Sequence, residues 1–201
     1  MTTATRVTVE AARDALIASL HGTVLDIGAG TPRRRAHLAP GSRWVGLEPD
    51  ESRHHRLVPT VAGEDRLLLG RAEHIPLPDG SVDAALTSFT LCSVDDQPTA
   101  LAEIRRVVRP GGAFAFAEHV GAPHGSWSRR LQRMATPFSR RFDHGCRPTR
   151  DTLSVIETLA WEHVETETYD VRVAPGVVVP FVVGRAVLPS APRGSSATMG
   201  R

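Results

Sequence analysis

Three observations on the 201-residue sequence predict an α/β fold with a mostly parallel sheet. Strand-like and helix-like segments alternate between residues 23 and 118, the pattern of βαβ units. The strand candidates VLDI, LLL and FAFA are continuous apolar runs, as expected of strands covered on both faces. The first of them runs straight into a glycine turn, VLDIGAGTP at residues 24–32, the kind of turn that lets a ligand approach bare backbone.

Val9, Ala12, Leu16 and Leu20 recur at helical spacing and predict an amphipathic helix over the first twenty residues, closed by Gly22. A strand at 23–27 follows, then a short helix at 32–38 whose first position is Pro32, where a fixed φ and a missing amide hydrogen suit a helix start. Strands are expected at 44–47, 66–69 and 82–89, with a helix at 50–57 between the first two. A helix at 97–108 stops at Pro110-Gly111-Gly112, ahead of a strand at 113–118. Residues 121–149 then mix an arginine-rich helical pattern with Gly and Pro breaks, and read as an insertion over the C-terminal edge of the sheet. A helix at 150–159 and strands at 162–171 and 177–187 complete the series. No helical pattern separates the last two strands, so an antiparallel hairpin is expected. The sum is seven strands with helices on both faces, in one domain over residues 1–189. The small, polar tail at 190–201 is expected to be disordered.

With 41% hydrophobic residues, a chain of this length can bury a core of its own. All 24 basic residues are arginine, yet 22 acidic residues leave a net charge of only +2. That balance argues against a nucleic-acid partner, whose footprint would be strongly and locally basic. Charges inside the apolar pattern of the N-terminal stretch make it neither a signal peptide nor a membrane span. Cys92 and Cys146 cannot form a disulfide framework and lack the partner spacing of a zinc site. A reducing, cytoplasmic setting is therefore expected, and no metal.

A glycine turn after a strand can cradle a pyrophosphate or admit a smaller nucleoside cofactor. In a dinucleotide fingerprint a third glycine lets the helix pack closely on the strand; the window Gly28, Gly30, Arg33 puts arginine there. Twenty residues past Gly28, Glu48 closes the next strand, spaced to accept hydrogen bonds from two ribose hydroxyls. The alternative is a solvated strand-end carboxylate. Asp26, just before the turn, is either a ligand contact or a turn-former. A ribose grip without a pyrophosphate cradle points to an adenosyl cofactor.

The ordered stretches VLDIGAGTP, WVGLEPD and GRAEHIPLPDGSVDAALTSFTLCSVDDQPTALAEIRRVVRPGGAFAFAEHV resemble the successive motifs of class I S-adenosylmethionine-dependent methyltransferases. The likeness covers about residues 22–120, within the small methyltransferases (type 11) shared with ubiquinone and menaquinone biosynthesis. The run from Leu91 to Val120, with Trp127, Gln132 and the later FDHGCRPTRD, is similar to a methyltransferase-like branch that includes alkyl-thiol S-methyltransferases. This resemblance implies a Rossmann-like sheet, S-adenosylmethionine as cofactor and a small-molecule acceptor. It implies that Asp26 meets the methionine ammonium and that Gly28, Ala29 and Gly30 keep the backbone bare beside the cofactor. Glu48 and Pro49 would hold the ribose, Ala72 and Glu73 flank the adenine, and Thr90 and Leu91 line the sulfonium side. Arg71 stands where relatives often carry an acidic acceptor for the adenine amino group. Arginine accepts no hydrogen bond, which leaves that contact to Glu73 or to backbone and apolar surface.

His119 closes the fifth strand at the edge where parallel sheets bind ligands, and is the candidate catalytic residue. Cys92, Trp127, His144 and Cys146 are substrate-side candidates. Cys92 otherwise reads as a small buried hydrophobe, Cys146 as incidental, and the arginines of SWSRRLQRMATPFSRRF as a solvated helix face. A methyl sulfonium carries its own leaving group, so the protein mainly has to align a nucleophile. A thiol ionises to several per cent at neutral pH and needs little more, whereas a phenol or carbon acid calls for a base such as His119. The expected activity is methyl transfer to a small molecule, a thiol being one candidate. The alternatives are C- or O-methylation of a quinone-like or secondary-metabolite ring, and a non-catalytic cofactor-binding module.

Overall fold

The computed structural model describes residues 3–31, 34–142 and 145–190, with side chains from residue 8 onward. Strands β1 (Thr23–Ile27), β2 (Arg43–Glu48), β3 (Arg66–Leu69), β4 (Val82–Ser88), β5 (Val108–His119), β6 (His163–Ala174) and β7 (Val177–Val187) form one sheet in the order β3-β2-β1-β4-β5-β7-β6. β1 to β5 pair in parallel, while β7 is antiparallel to both β5 and β6. The predicted hairpin is present, and it joins the sheet through its second strand. Helices α1 (Thr3–Ala18), α2 (Glu51–Leu57), α3 (Gln97–Val107), α4 (Trp127–Phe142) and α5 (Thr152–Glu157) complete the fold. None of the described helices is long and apolar enough to cross a membrane.

Side-chain size sorts the two faces of the sheet. In β5, Phe114 and Phe116 point to the face covered by Leu101 and Ile104 of α3 and Ile156 of α5, and Trp161 stacks on Phe114 with ring centroids 5.9 Å apart. Ala113 and Ala115 point the other way and, with Val24, Ala84 and Leu86, pack against Ile17 of α1 and Leu20. Alternation at period two thus puts bulk on one face and short side chains on the other, where α1 packs. In β2, Trp44 folds over Gly46, where any Cβ would collide with the indole ring.

Two sequence expectations are corrected. The helix at 32–38 is a single 3-10 turn, Arg34–His37, with no buried residue; without an apolar face to dock, so short a segment gains nothing from a full α-helix. Pro32 and Arg33 lie outside the described residues, as do residues 191–201 of the tail. Pro110-Gly111-Gly112 does not precede the fifth strand but interrupts it. Pairing begins at Val82 with Val108 and resumes at Ala84 with Ala113, so these three residues, together with Arg109, form an irregular bulge, with Gly111 at φ +73°.

From β1 the chain steps outward through β2 and β3, then returns to β4 and β5 on the other side. The order reverses between β1 and β4, and at such a reversal a crevice opens at the C-terminal strand ends. The loop after β3 is braced from α3. Glu103 accepts the Ile75 amide at 2.9 Å and pairs with Arg106 at 2.7 Å, while Arg106 donates to the carbonyls of Ile75 and Leu77. The Arg106 hydrogen bonds hold the Glu103 carboxyl down at about 2. A carboxyl depressed in this way stabilises the fold at every pH above its ordinary value of about 4.5 and stops doing so as pH falls toward 2. Glu103→Gln is expected to lower stability at pH 7 by about 1–2 kcal/mol. The difference from the parent, measured by thermal unfolding, should shrink steadily between pH 4.5 and pH 2.

Candidate active site

The glycine turn after β1 owes its shape to two neighbours. The amides of Gly28 and Ala29 donate to the Leu47 carbonyl of β2 at 2.8 and 3.0 Å, drawing the turn across the end of that strand. Gly28 (φ +69°) also lies so close to Thr90 that a Cβ would come within 2.6 Å of the threonine hydroxyl and 2.8 Å of its methyl. Only glycine fits there, on conformation and on space alike. Thr90 in turn donates to the Ile27 carbonyl at 3.1 Å, tying the loop after β4 to the end of β1.

Glu48, at the end of β2, is buried to 2% exposure and lines the crevice. One of its carboxylate oxygens accepts the Gly30 amide at 2.8 Å, the other the Asp50 amide at 3.1 Å. Each oxygen keeps a further lone pair. Asp26 is 1% exposed and faces inward. Arg34 donates to it at 3.0 Å and the Trp44 indole at 3.3 Å, and Arg34 also bonds the Gly28 carbonyl. Burial pushes the Asp26 carboxyl up, and the Arg34 charge and the Trp44 hydrogen bond oppose it. The charged group presented to the crevice at this point is therefore Arg34.

The crevice has two parts. The larger, about 570 Å³, is walled by Gly28, Gly30, Glu48, Pro49, Thr90, Cys92, His119 and Cys146 among others, with Val9 and Glu10 contributed by α1. The smaller, about 170 Å³, shares Gly28, Pro49, Thr90 and Ser93 with it and adds Ile27, Leu47, Ala72, Glu73 and Val94. Glu73 accepts the Asp95 amide at 2.6 Å and lies 3.6 Å from Arg71, which also pairs with Asp95. Ala29 and Leu91 are fully buried behind the walls. Trp127 lines neither part; it is 60% exposed at the start of α4. His144 lies outside the described residues.

At the floor of the larger part, Cys92, His119 and Cys146 meet, residues far apart in the chain. His119 Nε2 lies 3.0 Å from Cys146 Sγ, and the ligand-capable atoms of the three all lie within 4.8 Å of one another. The neighbouring Cys146 sulfur and burial push the Cys92 thiol up, while His119 acts in the opposite direction. Phe181 of β7 sets its ring edge-on to both His119 and Phe89. Phe89 itself takes φ +55°, a conformation uncommon for a bulky residue and one that recurs at functional sites.

Sequence reading missed several of these contributors. Glu118 is fully buried and accepts the amides of Thr90 and Leu91 at 3.1 and 3.2 Å, so it holds the loop after β4 in place; burial pushes its carboxyl up. Its signal was available, an acid at the end of the apolar run FAFA. Arg34 and Phe181 carry no local signal, because what places them is contact with distant strands.

A family model described as a methyltransferase domain matches residues 25–116. Human thiol S-methyltransferase TMT1B is 32% identical to the chain over 170 residues, covering 82% of this chain and 70% of its own length. Demethylmenaquinone methyltransferase of Mycolicibacterium gilvum is 34% identical over 148 residues, covering 66% and 61%. Among solved structures, a SAM-dependent methyltransferase of Thermotoga maritima shares the fold with a TM-score of 0.66 at 24% identity, over 91% of this chain and 90% of that one. The chain belongs to the class I S-adenosylmethionine-dependent methyltransferases.

The contact between Gly28 and Thr90 can be tested directly. Gly28→Ala should cost about 1–2 kcal/mol of stability, from the positive φ and the collision together. Adding Thr90→Ala should restore part of that loss, a coupling that thermal unfolding of the two single variants and the double variant would measure.

Proposed function

We propose that the protein transfers the methyl group of S-adenosylmethionine to the sulfur of a small, largely apolar thiol. The residues present fit the cofactor. Gly28 and Gly30 leave bare backbone along the first turn, and the spare lone pairs of Glu48 suit a ribose diol. The smaller part of the crevice, between Ile27, Leu47, Ala72 and Val94 with Glu73 at its wall, suits a flat base. Arg34 would take the methionyl carboxylate, and Asp26 acts on that end of the cofactor through the guanidinium it orients. When bound, the cofactor supplies an electrophilic methyl on a sulfonium whose leaving group is a neutral thioether.

The observation that carries the thiol reading is the make-up of the acceptor side. Phe89, Phe181, Val9 and Val171 form apolar walls there, and the titratable groups at the floor are His119 and two cysteines. Among the described wall residues the carboxylates are Glu48, engaged with the first turn, and Glu10 on α1. A poor nucleophile would need a well-placed carboxylate or free imidazole, whereas a thiol reaches its reactive form with little help beyond alignment and exclusion of water. The likeness to human thiol S-methyltransferase TMT1B supports the same acceptor class. A second reading, methylation of a quinone-like ring, is supported by the likeness to demethylmenaquinone methyltransferase.

Two measurements test the proposal. Incubation with methyl-labelled cofactor and a panel of alkyl thiols, phenols and quinols should give labelled thioethers; label found only on carbon or oxygen would overturn the thiol assignment. Glu48→Ala should weaken S-adenosylhomocysteine binding about 10- to 100-fold by calorimetry, the loss expected for charge-assisted hydrogen bonds. An unchanged affinity would remove the carboxylate from the cofactor site.

A further inference from the structure

We propose that Cys92, His119 and Cys146 form a three-ligand site for a thiophilic divalent cation of the zinc class, with its fourth position open to the acceptor side of the crevice. Resting on the thiol reading above, that position would hold the sulfur of the substrate.

Two thiolates and one imidazole are the donor set such an ion prefers, and catalytic sites of this kind keep three protein ligands and one exchangeable position. A tetrahedral ion with metal–sulfur bonds of about 2.3 Å and a metal–nitrogen bond of about 2.0–2.1 Å sets its ligands roughly 3.5–3.8 Å apart. The separations here run from 3.0 Å between His119 Nε2 and Cys146 Sγ up to the 4.8 Å limit of the cluster, so shifts on the order of 1 Å close it. Charge favours the same arrangement. Two bare thiolates buried together would be costly, whereas two thiolates and a dication sum to zero.

The segments that carry the three residues are fastened to one another and to the sheet through their backbones. The Arg147 amide donates to the Cys92 carbonyl at 3.0 Å, and Arg147 and Arg150 reach back to the carbonyls of Val94, Asp95 and Leu91, locking the segment around Cys146 onto the loop after β4. His119 sits at the end of β5, where the next amide, Val120, donates to the Pro180 carbonyl of the neighbouring strand at 2.9 Å. All three ligand residues line the larger part of the crevice, together with the Gly28, Glu48 and Thr90 of the proposed cofactor site.

The chemistry balances without an oxidant or reductant. A substrate thiol loses its proton to solvent as its sulfur joins the metal. A lone pair on that sulfur forms the new carbon–sulfur bond to the methyl, while the electron pair of the broken bond stays on the departing thioether. The cation keeps its oxidation state throughout and lowers the fraction of substrate held as unreactive thiol.

The full chain, reduced and stripped of metal with a chelator, would be titrated with Co²⁺ and then Zn²⁺. The expected result is one Co²⁺ per chain with thiolate-to-metal charge-transfer absorption and strong four-coordinate visible bands, displaced by Zn²⁺. Cys92→Ser and Cys146→Ser should each weaken Zn²⁺ binding by about 100-fold or more in competition with a chromogenic chelator, since losing a ligand should cost at least as much as losing an outer-shell partner. A small alkyl thiol should shift the cobalt bands of the parent. Weak six-coordinate cobalt spectra, or equal Zn²⁺ affinity in the serine variants, would overturn the site; the parent spectrum needs no variant to fold. Full thiol methylation by the metal-stripped protein would overturn the metal's role and leave the thiol reading standing. Stoichiometric thiolate-bound cobalt in a protein that methylates no thiol would do the reverse.

Discussion

The space beside Gly28 is the constraint on which the rest of this site depends. Because that residue has no side chain, Thr90 fills the space, bonds the Ile27 carbonyl and fastens the loop after β4 to the end of β1. The same loop is held from the other side by the buried carboxylate of Glu118, which takes the amides of Thr90 and Leu91. The ends of three parallel strands, β1, β4 and β5, are thus stitched together across the point where strand order reverses. The crevice divides around this seam, with Gly28 and Thr90 on the walls of both parts.

Around the seam, buried charge is placed so that it orients something else. Asp26 is inaccessible, yet it fixes the Arg34 guanidinium and the Trp44 indole, and Arg34 faces the crevice. Glu48 spends one lone pair of each oxygen on a backbone amide, which sets the direction of those that remain. Gln97 and Arg150 both donate to the Leu91 carbonyl, so the segment carrying Cys146 arrives at the floor already docked. A carboxylate or thiol held this way loses little freedom when a ligand comes, the general condition for a site to act without rearranging.

Most of the sheet was legible in the sequence because its signals are local. VLDI and FAFA report burial on both faces, the step from Gly28 to Glu48 reports a strand-to-strand spacing, and the missing helical pattern after residue 171 reports the hairpin. LLL was overread, because β3 is the edge strand, where Leu67 and Leu68 are half-buried and Leu69 is exposed. Cys92, His119 and Cys146 could each be singled out as candidates, but that they meet on one floor could not, for the opposite reason. Linear spacing of Cys92 and Cys146 suggests no site, because the residue that joins them, His119, ends a different strand, and the segment around Cys146 reaches it only through the arginines that dock it. Helix α4 carries the solvated arginine face expected of it at Arg130, Arg133, Arg140 and Arg141, whereas its Arg129 turns inward. Its inner face carries Ser128, Arg129 and Gln132, which satisfy backbone groups at Val178, Ala122 and Val120, while Trp127, Met134, Phe138 and Phe142 stand exposed. Backbone groups near the sheet are thereby satisfied by polar side chains of α4, a role that periodicity does not report.

These placements divide the crevice by the kind of atom that builds it. The proposed cofactor side joins backbone, namely two glycines and the amides of the first turn, to the side chains of Glu48 and Arg34. The acceptor side is made of side chains from α1, β5, β6, β7 and two loops, each anchored by its own set of contacts. Exchanging Phe89, Val171 or Phe181 changes the shape offered to an acceptor and leaves the seam of Gly28, Thr90 and Glu118 intact. One fold can therefore keep its donor and vary its acceptor, and for that reason the identity of the acceptor has to be read from the floor and walls of this one cavity.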